Sequence, residues 1–390
     1  MSDPLPHSGL LPTGLIDALP PDAERDSLAA ERALNLLAAY GYQQVSPPLL
    51  EFEESFLSGA GEPLARETFR IMDPASQRML VLRSDMTPQI SRIAASRLGN
   101  VPRPLRLCYI GQVLRVSGGR PGAERQLRQA GAELIGSSRP EADAEIILLA
   151  AAALRAIGVE RVAVDLNVPH MASSAAVAAG LIDRVTQEFL DALDRKDISE
   201  IGRVAPKAAD LLGKLIDAGG DADSALSSID KVQLDDGSAK RVNKLRTIVD
   251  LVRRESPDLS LTIDYVEHRG FDYYSDVAFS LFAKGRLGEL GRGGRYQAPV
   301  REGGDSHGEP AVGFSLFMSA VGQAAQHQVP PSRVFLPYGI NMMKARHEIR
   351  LAGCVAVSGL DPNLDPYQEA KRLECQGLWH GGKIEFFKEG

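Results

Sequence analysis

The sequence reads as an α+β protein with a helical insertion and a small C-terminal domain, and three observations carry that reading. Strand-like runs at 105–113 and 126–135 flank a Gly/Arg/Pro stretch at 117–124, which makes two strands joined by a long loop. From 172 to 254 the hydrophobic period turns helical throughout, with Ile182, Val185, Phe189 and Leu193 on one apolar stripe and Val242, Leu245, Val249 and Val252 on another. Strand alternation then resumes at Leu259, Leu261, Ile263 and Tyr265, and again at Val277, Phe279 and Leu281, so the helical block interrupts a run of strands.

The remaining elements follow in order. Residues 27–39 carry apolar side chains at helical spacing and stop near Gly41, and 45–56 contains Pro47-Pro48, which suits an extended arm. Residues 79–82 are a short strand. The Ala/Leu-rich segment 141–157 is continuous enough for a buried helix, and Val162, Val164, Leu166 and Val168 alternate as a half-buried strand. A last helix is expected over 314–323. Pro330-Pro331 marks a boundary, dividing a main domain, 1–329, from a small C-terminal domain, 330–390. A segment of roughly 60 residues is short for an independent core, so it should dock on the main body.

Composition narrows the classes of function. Across 390 residues, 44% are hydrophobic and 24% charged, an ordinary globular balance. Residues 1–20 interleave Pro, His, Gly and Asp among leucines, which suits neither a signal leader nor a membrane span, so a cytoplasmic protein without membrane association is expected. Cys108, Cys354 and Cys375 lie far apart, with no CxxC or Cys/His cluster. They read as buried free thiols, and no disulfide, metal or cofactor is expected. A net charge of -7 argues against a protein that holds nucleic acid, because phosphate binding needs a concentrated cationic field.

Four constellations carry candidate chemistry. Arg83-Ser84-Asp85-Met86-Thr87 follows a strand, where an acid and a hydroxyl can receive an ammonium group or cap a helix. Gln129 and Glu133 are an even number of residues apart and share a strand face near Arg115. Burying that set calls for a polar ligand or a mutual ion pair. His268-Arg269-Gly270-Phe271-Asp272-Tyr273-Tyr274 sits at a strand end, where Arg269 suits a carboxylate and Tyr273 or Tyr274 an imidazole nitrogen, unless the tyrosines are simply core beside a surface ion pair. Gly291-Arg292-Gly293-Gly294-Arg295-Tyr296 reads as a Gly-rich loop that allows close backbone approach. It fits neither a dinucleotide fingerprint nor a Walker loop.

Taken in order, these pieces resemble a class II aminoacyl-tRNA synthetase of the histidyl type over about residues 11–323. The likeness begins at Pro12-Thr13-Gly14 and at Gly41-Tyr42 with Pro47-Pro48-Leu49-Leu50-Glu51, which is similar to the dimer-forming first motif. It continues through 82–87, through Ile110-Gly111-Gln112-Val113-Leu114-Arg115 to Gln129 and Glu133, and through the two histidine-type signatures at 269–274 and 293–296. The resemblance implies an antiparallel sheet flanked by helices, a helical insertion and a dimer. It also implies that Asp85, Thr87 and Gln129 hold the ammonium of histidine. Glu133 and Tyr274 would face the imidazole, Arg269 would lie near the carboxylate, and Arg115 and Tyr273 complete the histidine-binding set. Asp85 stands where the synthetases have the longer glutamate.

The departures shift the expected function. Ser117 replaces a nucleotide-binding glutamate, Leu127 replaces the aromatic that stacks on adenine, and Ala320 replaces the third-motif arginine that grips ATP phosphates. Adenylation depends on cationic positioning of phosphates, so catalytic residues are not expected. The C-terminal segment is also short for an anticodon-binding domain. This pattern is similar to the regulatory-subunit family of short-form ATP phosphoribosyltransferase in histidine biosynthesis. That likeness implies a non-catalytic protein that binds L-histidine and joins the catalytic subunit, with a homodimer inside a larger hetero-oligomer. The alternative is a working histidyl-tRNA synthetase or another amino-acid-activating paralogue.

Overall fold

The computed structural model describes residues 10–57, 64–117, 124–268, 274–299, 308–326, 330–339 and 342–387. They fall into two compact units, Met1–Gln326 and His327–Gly390. The first opens with α1 (Asp22–Ala39), β1 (Gln43–Gln44), β2 (Leu50–Phe52), α2 (Glu53–Phe56), β3 (Phe69–Met72), β4 (Met79–Leu82) and α3 (Thr87–Ser96). The long pair β5 (Leu105–Leu114) and β6 (Gln126–Ile135) is followed by α4 (Pro140–Ile157) and β7 (Val162–Asn167). The helical block contains α5 (Met171–Ala178), α6 (Gln187–Asp194), α7 (Ile198–Val204), α8 (Ala209–Ala218), the two-residue β8 (Gly220–Asp221), α9 (Ala222–Ile229) and α10 (Asp236–Glu255). Then come β9 (Ser260–Asp264), β10 (Ala278–Ala283), β11 (Gly291–Ala298), β12 (Glu309–Phe317) and α11 (Met318–Ala324).

The main sheet has nine strands in the order β1-β5-β6-β12-β11-β10-β7-β9-β8. Its centre is antiparallel from β5 to β7, and parallel pairs, β1 with β5 and β7 with β9, stand toward its two ends. The helical block is the crossover between parallel β7 and β9, which a hairpin cannot connect. Helix α4 runs to Gly158, whose left-handed φ of 111° ends it, and its buried face of Ile146, Ile147, Leu149, Ala150 and Leu154 joins the core. One buried ion pair ties this helix to the sheet: the Arg295 guanidinium donates to both Asp143 oxygens, at 2.9 and 2.6 Å.

Three boundaries differ from the sequence reading. The Gly-rich segment at 291–296 is strand β11, not a loop. Its glycines make room for neighbours: a Cβ on Gly293 would collide with the Gly313 carbonyl and the Phe279 ring, and one on Gly294 would stand 2.6 Å from the Tyr274 ring. Residues 314–317 complete β12, and the helix begins only at Met318. The arm at 45–56 is extended only in part, since Glu53–Phe56 is helical and seats Phe56 in the core. The block at 172–254 holds six helices, α5 to α10, joined by turns and the two-residue β8.

A three-stranded sheet, β2-β4-β3, accompanies the main one. The second unit comprises β13 (Arg333–Leu336), α12 (Met342–Leu351), β14 (Val355–Ser358), α13 (Pro366–Arg372), β15 (Gly377–His380) and β16 (Lys383–Phe386). Its sheet order is β14-β13-β15-β16, over a small core that includes Val334, Leu336, Ile349 and Trp379.

Candidate functional site

Strand alternation places Gln129, Gly131 and Glu133 on one face of β6. Register extends that face across the sheet: Glu133 lies between Leu107 and Gly313, and Gly131 between Tyr109 and Ser315. The two glycines leave space for the polar groups around them. A Cβ on Gly313 would collide with Glu133 Oε2, and one on Gly131 with the Tyr109 hydroxyl.

Glu133 is only 1% exposed. Its Oε1 accepts from Thr87 Oγ1 at 3.0 Å and from Tyr109 at 3.2 Å, and its Oε2 accepts from Tyr296 at 2.9 Å. Burial pushes its pKa up to about 8; Tyr296 and Thr87 oppose the shift, the Asp85 charge adds to it, and the Tyr109 bond opposes it. These hydroxyl bonds by themselves favour a carboxylate. Loss of water around a fully buried carboxyl outweighs them. Tyr109 and Tyr296 are held far above the usual phenol range, first by burial and next by the Glu133 charge.

Asp85 lies at the start of α3, where its Oδ1 accepts the Thr87 backbone N–H at 2.8 Å. Its Oδ2 accepts from the Gln129 amide at 2.7 Å, and Gln129 Oε1 accepts the Met86 N–H at 3.0 Å. Asp85 therefore both orders the helix start and faces Gln129. The N-cap of α3 is Met86, so Asp85 stands one residue before the cap.

A small cleft is lined by Thr87, Glu133, Tyr274, Tyr296, Gly313, Phe314 and Ser315. The structure thus brings Asp85, Thr87, Gln129, Glu133 and Tyr274 to one place. Arg115 stands to the side: its Nε donates to the Ser84 carbonyl at 3.3 Å and lies 3.8 Å from Glu67. The Arg115 partner is therefore Glu67, not Glu133. Arg269 and Tyr273 lie outside the described residues.

Sequence patterning assigned no role to Tyr109, Ser315 or Gly313, and none to Tyr296 beyond its signature. Tyr109 and Ser315 hydroxyls are 2.8 Å apart, yet 206 positions separate them. Only strand register reveals such a pair. Beside the pocket, Arg83 is buried and donates to the carbonyls of Gln112 at 2.7 Å and Pro47 at 3.0 Å. Gln89 donates to Glu51 at 2.8 Å, so the Pro47-to-Glu51 arm is fastened to the start of α3.

At the departures noted above, Leu127 packs against the cluster of Met86, Ile90 and Tyr109, and Ala320 packs against the main core. The neighbouring Ser319 hydroxyl donates to Glu124 at 2.8 Å. A carboxylate therefore stands beside the position where phosphate binding would need a cation.

Fold and site together define a class II aminoacyl-tRNA synthetase-like protein, and the family model of histidyl-tRNA synthetase matches residues 14–321. A Rhodospirillum centenum ATP phosphoribosyltransferase regulatory subunit is 46% identical over 98% of both chains. A Gluconobacter oxydans protein of the same name is 40% identical over 97% of both. The chain belongs to the family of ATP phosphoribosyltransferase regulatory subunits. The fold is also that of a crystal structure described as an ATP phosphoribosyltransferase regulatory subunit/histidyl-tRNA synthetase from Bacillus halodurans, with a TM-score of 0.78 at 20% identity, covering 95% of this chain and 97% of that one.

Proposed function

We propose that this chain is the non-catalytic regulatory subunit of short-form ATP phosphoribosyltransferase, that the catalytic subunit requires it for activity, and that it confers feedback inhibition by histidine. The observation that carries this reading is the contrast between two adjacent places. A polar cleft is built around Glu133, whereas the nucleotide side offers Leu127, Ala320 and a Ser319–Glu124 pair. Such a site can hold an amino acid, whereas Leu127, Ala320 and the Glu124 carboxylate do not supply the cationic grip a triphosphate needs.

In this reading Asp85, Thr87 and Gln129 receive the histidine ammonium, Glu133 and Tyr274 face the ring, and Arg269 meets the carboxylate. Arg115 and Tyr273 complete the proposed histidine-binding set. Feedback requires only that histidine bind one state of the complex better than another, and a coupling of about 1 to 3 kcal/mol is enough. The arm from Pro47 to Glu51 supports a homodimer, which would join the catalytic subunit in a larger hetero-oligomer in the cytoplasm. Among the described residues no helix is long and apolar enough to cross a membrane.

The test is binding without chemistry. Isolated protein should gain melting temperature as L-histidine is added, because a ligand of the native state adds RT ln(1 + [L]/Kd). Histidine-dependent exchange of pyrophosphate into ATP should be absent. Exchange above a no-protein control rejects the non-catalytic reading, and a melting temperature indifferent to histidine rejects the pocket.

A further inference from the structure

The same sheet face carries a second polar cluster, about four strand spacings, or roughly 19 Å, from Glu133. Strands β7 and β9 pair in parallel, with Asp165 opposite Thr262 and Asn167 opposite Asp264. The Thr262 hydroxyl donates to Asp165, so side chains on this face do meet across the pair. A turn follows β9, in which Asp264 Oδ1 accepts the backbone N–H groups of Val266 at 3.0 Å and Glu267 at 3.2 Å. That turn returns Glu267 to the cluster. One carboxylate oxygen from each of Asp165, Asp264 and Glu267 lies within 4.8 Å of the others.

Charge alone makes this arrangement incomplete. Lys196 Nζ meets Asp264 at 2.5 Å and balances one of the three acids. The nearby Arg292 is already engaged with Glu289, its Nε donating at 3.0 Å. Three carboxyl groups therefore gather around one lysine. Asn167 supplies an independent observation: it is 0% exposed, and neither its amide oxygen nor its amide nitrogen has a hydrogen-bond partner. A buried amide with nothing to bond is costly, which points to a partner of another kind.

We propose that Asp165, Asn167, Asp264 and Glu267 form a site for one hard divalent cation of the magnesium or calcium class. The donors are all oxygens, with no thiol or imidazole among them, which disfavours zinc and suits these ions. Size fits as well. Metal–oxygen bonds of about 2.0 to 2.6 Å place ligands no more than about 4 to 5 Å apart, and the three carboxylate oxygens lie within 4.8 Å of one another. The cation neutralises the clustered carboxylates and gives the Asn167 oxygen its partner, pinning β9 to β7 at the end of β7 from which the helical block leaves the sheet. The sequence showed no metal motif because its metal signals are Cys and His spacings, and an oxygen site drawn from two strands leaves none.

The test uses full-length protein stripped with chelator and titrated with Mn2+, the free ion being followed by electron paramagnetic resonance and displaced by Mg2+ or Ca2+. One ion per chain should bind and raise the melting temperature. Asp165→Asn and Glu267→Gln should each weaken Mn2+ by at least about tenfold, as loss of a metal-site group does. Both variants relieve like-charge repulsion, so without metal they should melt no lower than the parent, which separates loss of binding from loss of folding. Absence of Mn2+ binding at millimolar concentration overturns the proposal, and so does equal binding by parent and variants.

Discussion

Glu133 is surrounded by hydroxyl groups, and its proton is the site's main variable. With a pKa near 4.5 in the unfolded chain and about 8 in the folded one, the folded protein keeps a proton that the unfolded chain releases between those values. Its contribution to stability is therefore fullest below pH 4.5, falls as pH rises toward about 8, and is flat above. Glu267, raised to about 7 chiefly by burial, and Asp165, raised by burial, act in the same direction. The informative quantity is thus the difference between parent and Glu133→Gln. Melting temperatures across this range without histidine should fall less steeply in the variant, and parallel curves would show that Glu133 is ionised throughout. Glu133→Gln keeps the shape but loses the carboxylate acceptor, so calorimetry should show histidine binding weakened by about 1.5 to 3 kcal/mol. In the reconstituted complex, activation should persist while histidine inhibition fades. The spacing of Gln129 and Glu133 was legible because a strand repeats every two residues. The roles of Tyr109 and Ser315 were not, because they depend on which strands become neighbours.

Glycines were the least legible feature at the scale of elements. Composition alone reads 291–296 as a loop, whereas register makes it a central strand whose missing side chains admit Phe279 and Tyr274. The same logic applies to Gly313 in β12, an ordinary strand residue in sequence. Gly313→Ala should force Glu133 out of place, destabilising the protein by about 1 to 3 kcal/mol by overpacking and abolishing its thermal response to histidine. Denaturant titration with and without ligand measures both effects. The Arg295–Asp143 pair is the other inter-element device that sequence could not disclose, since Arg295 reads as part of a ligand signature and instead holds α4. Asp143→Ala leaves a buried guanidinium without its carboxylate, and chemical unfolding should show a loss of about 3 to 5 kcal/mol. A loss below about 1 kcal/mol, the range of exposed pairs, would mean that water reaches Arg295.

Over the whole molecule, the strand pair at 105–135 and the inserted helices could be read from periodicity, and the family likeness supplied the antiparallel centre. Assembly is a different matter, because a surface is recognised by what it leaves uncovered. The β2-β4-β3 sheet buries Val81 yet leaves Leu50 40%, Ile71 46% and Met72 51% exposed, with Leu49 beside them at 45%. Exposed apolar side chains gathered on one small sheet mark an interaction surface more often than a solvated face. Leu49 and Leu50 lie on the arm that resembles the dimer motif, Ile71 and Met72 lie on β3 of the same sheet, and Arg83 and Gln89 fasten the arm to the start of α3 beside Asp85. A twofold contact through this sheet would cover the apolar patch and place each histidine pocket a few residues from the interface. Light scattering on the isolated chain should therefore give at least a dimer at micromolar concentration. Leu50→Asp with Ile71→Asp buries charge against charge across the same twofold contact and should yield monomers that still melt cooperatively. A parent chain that is monomeric, or a double variant that stays dimeric, would place the interface elsewhere and remove the arm from the path between histidine and assembly.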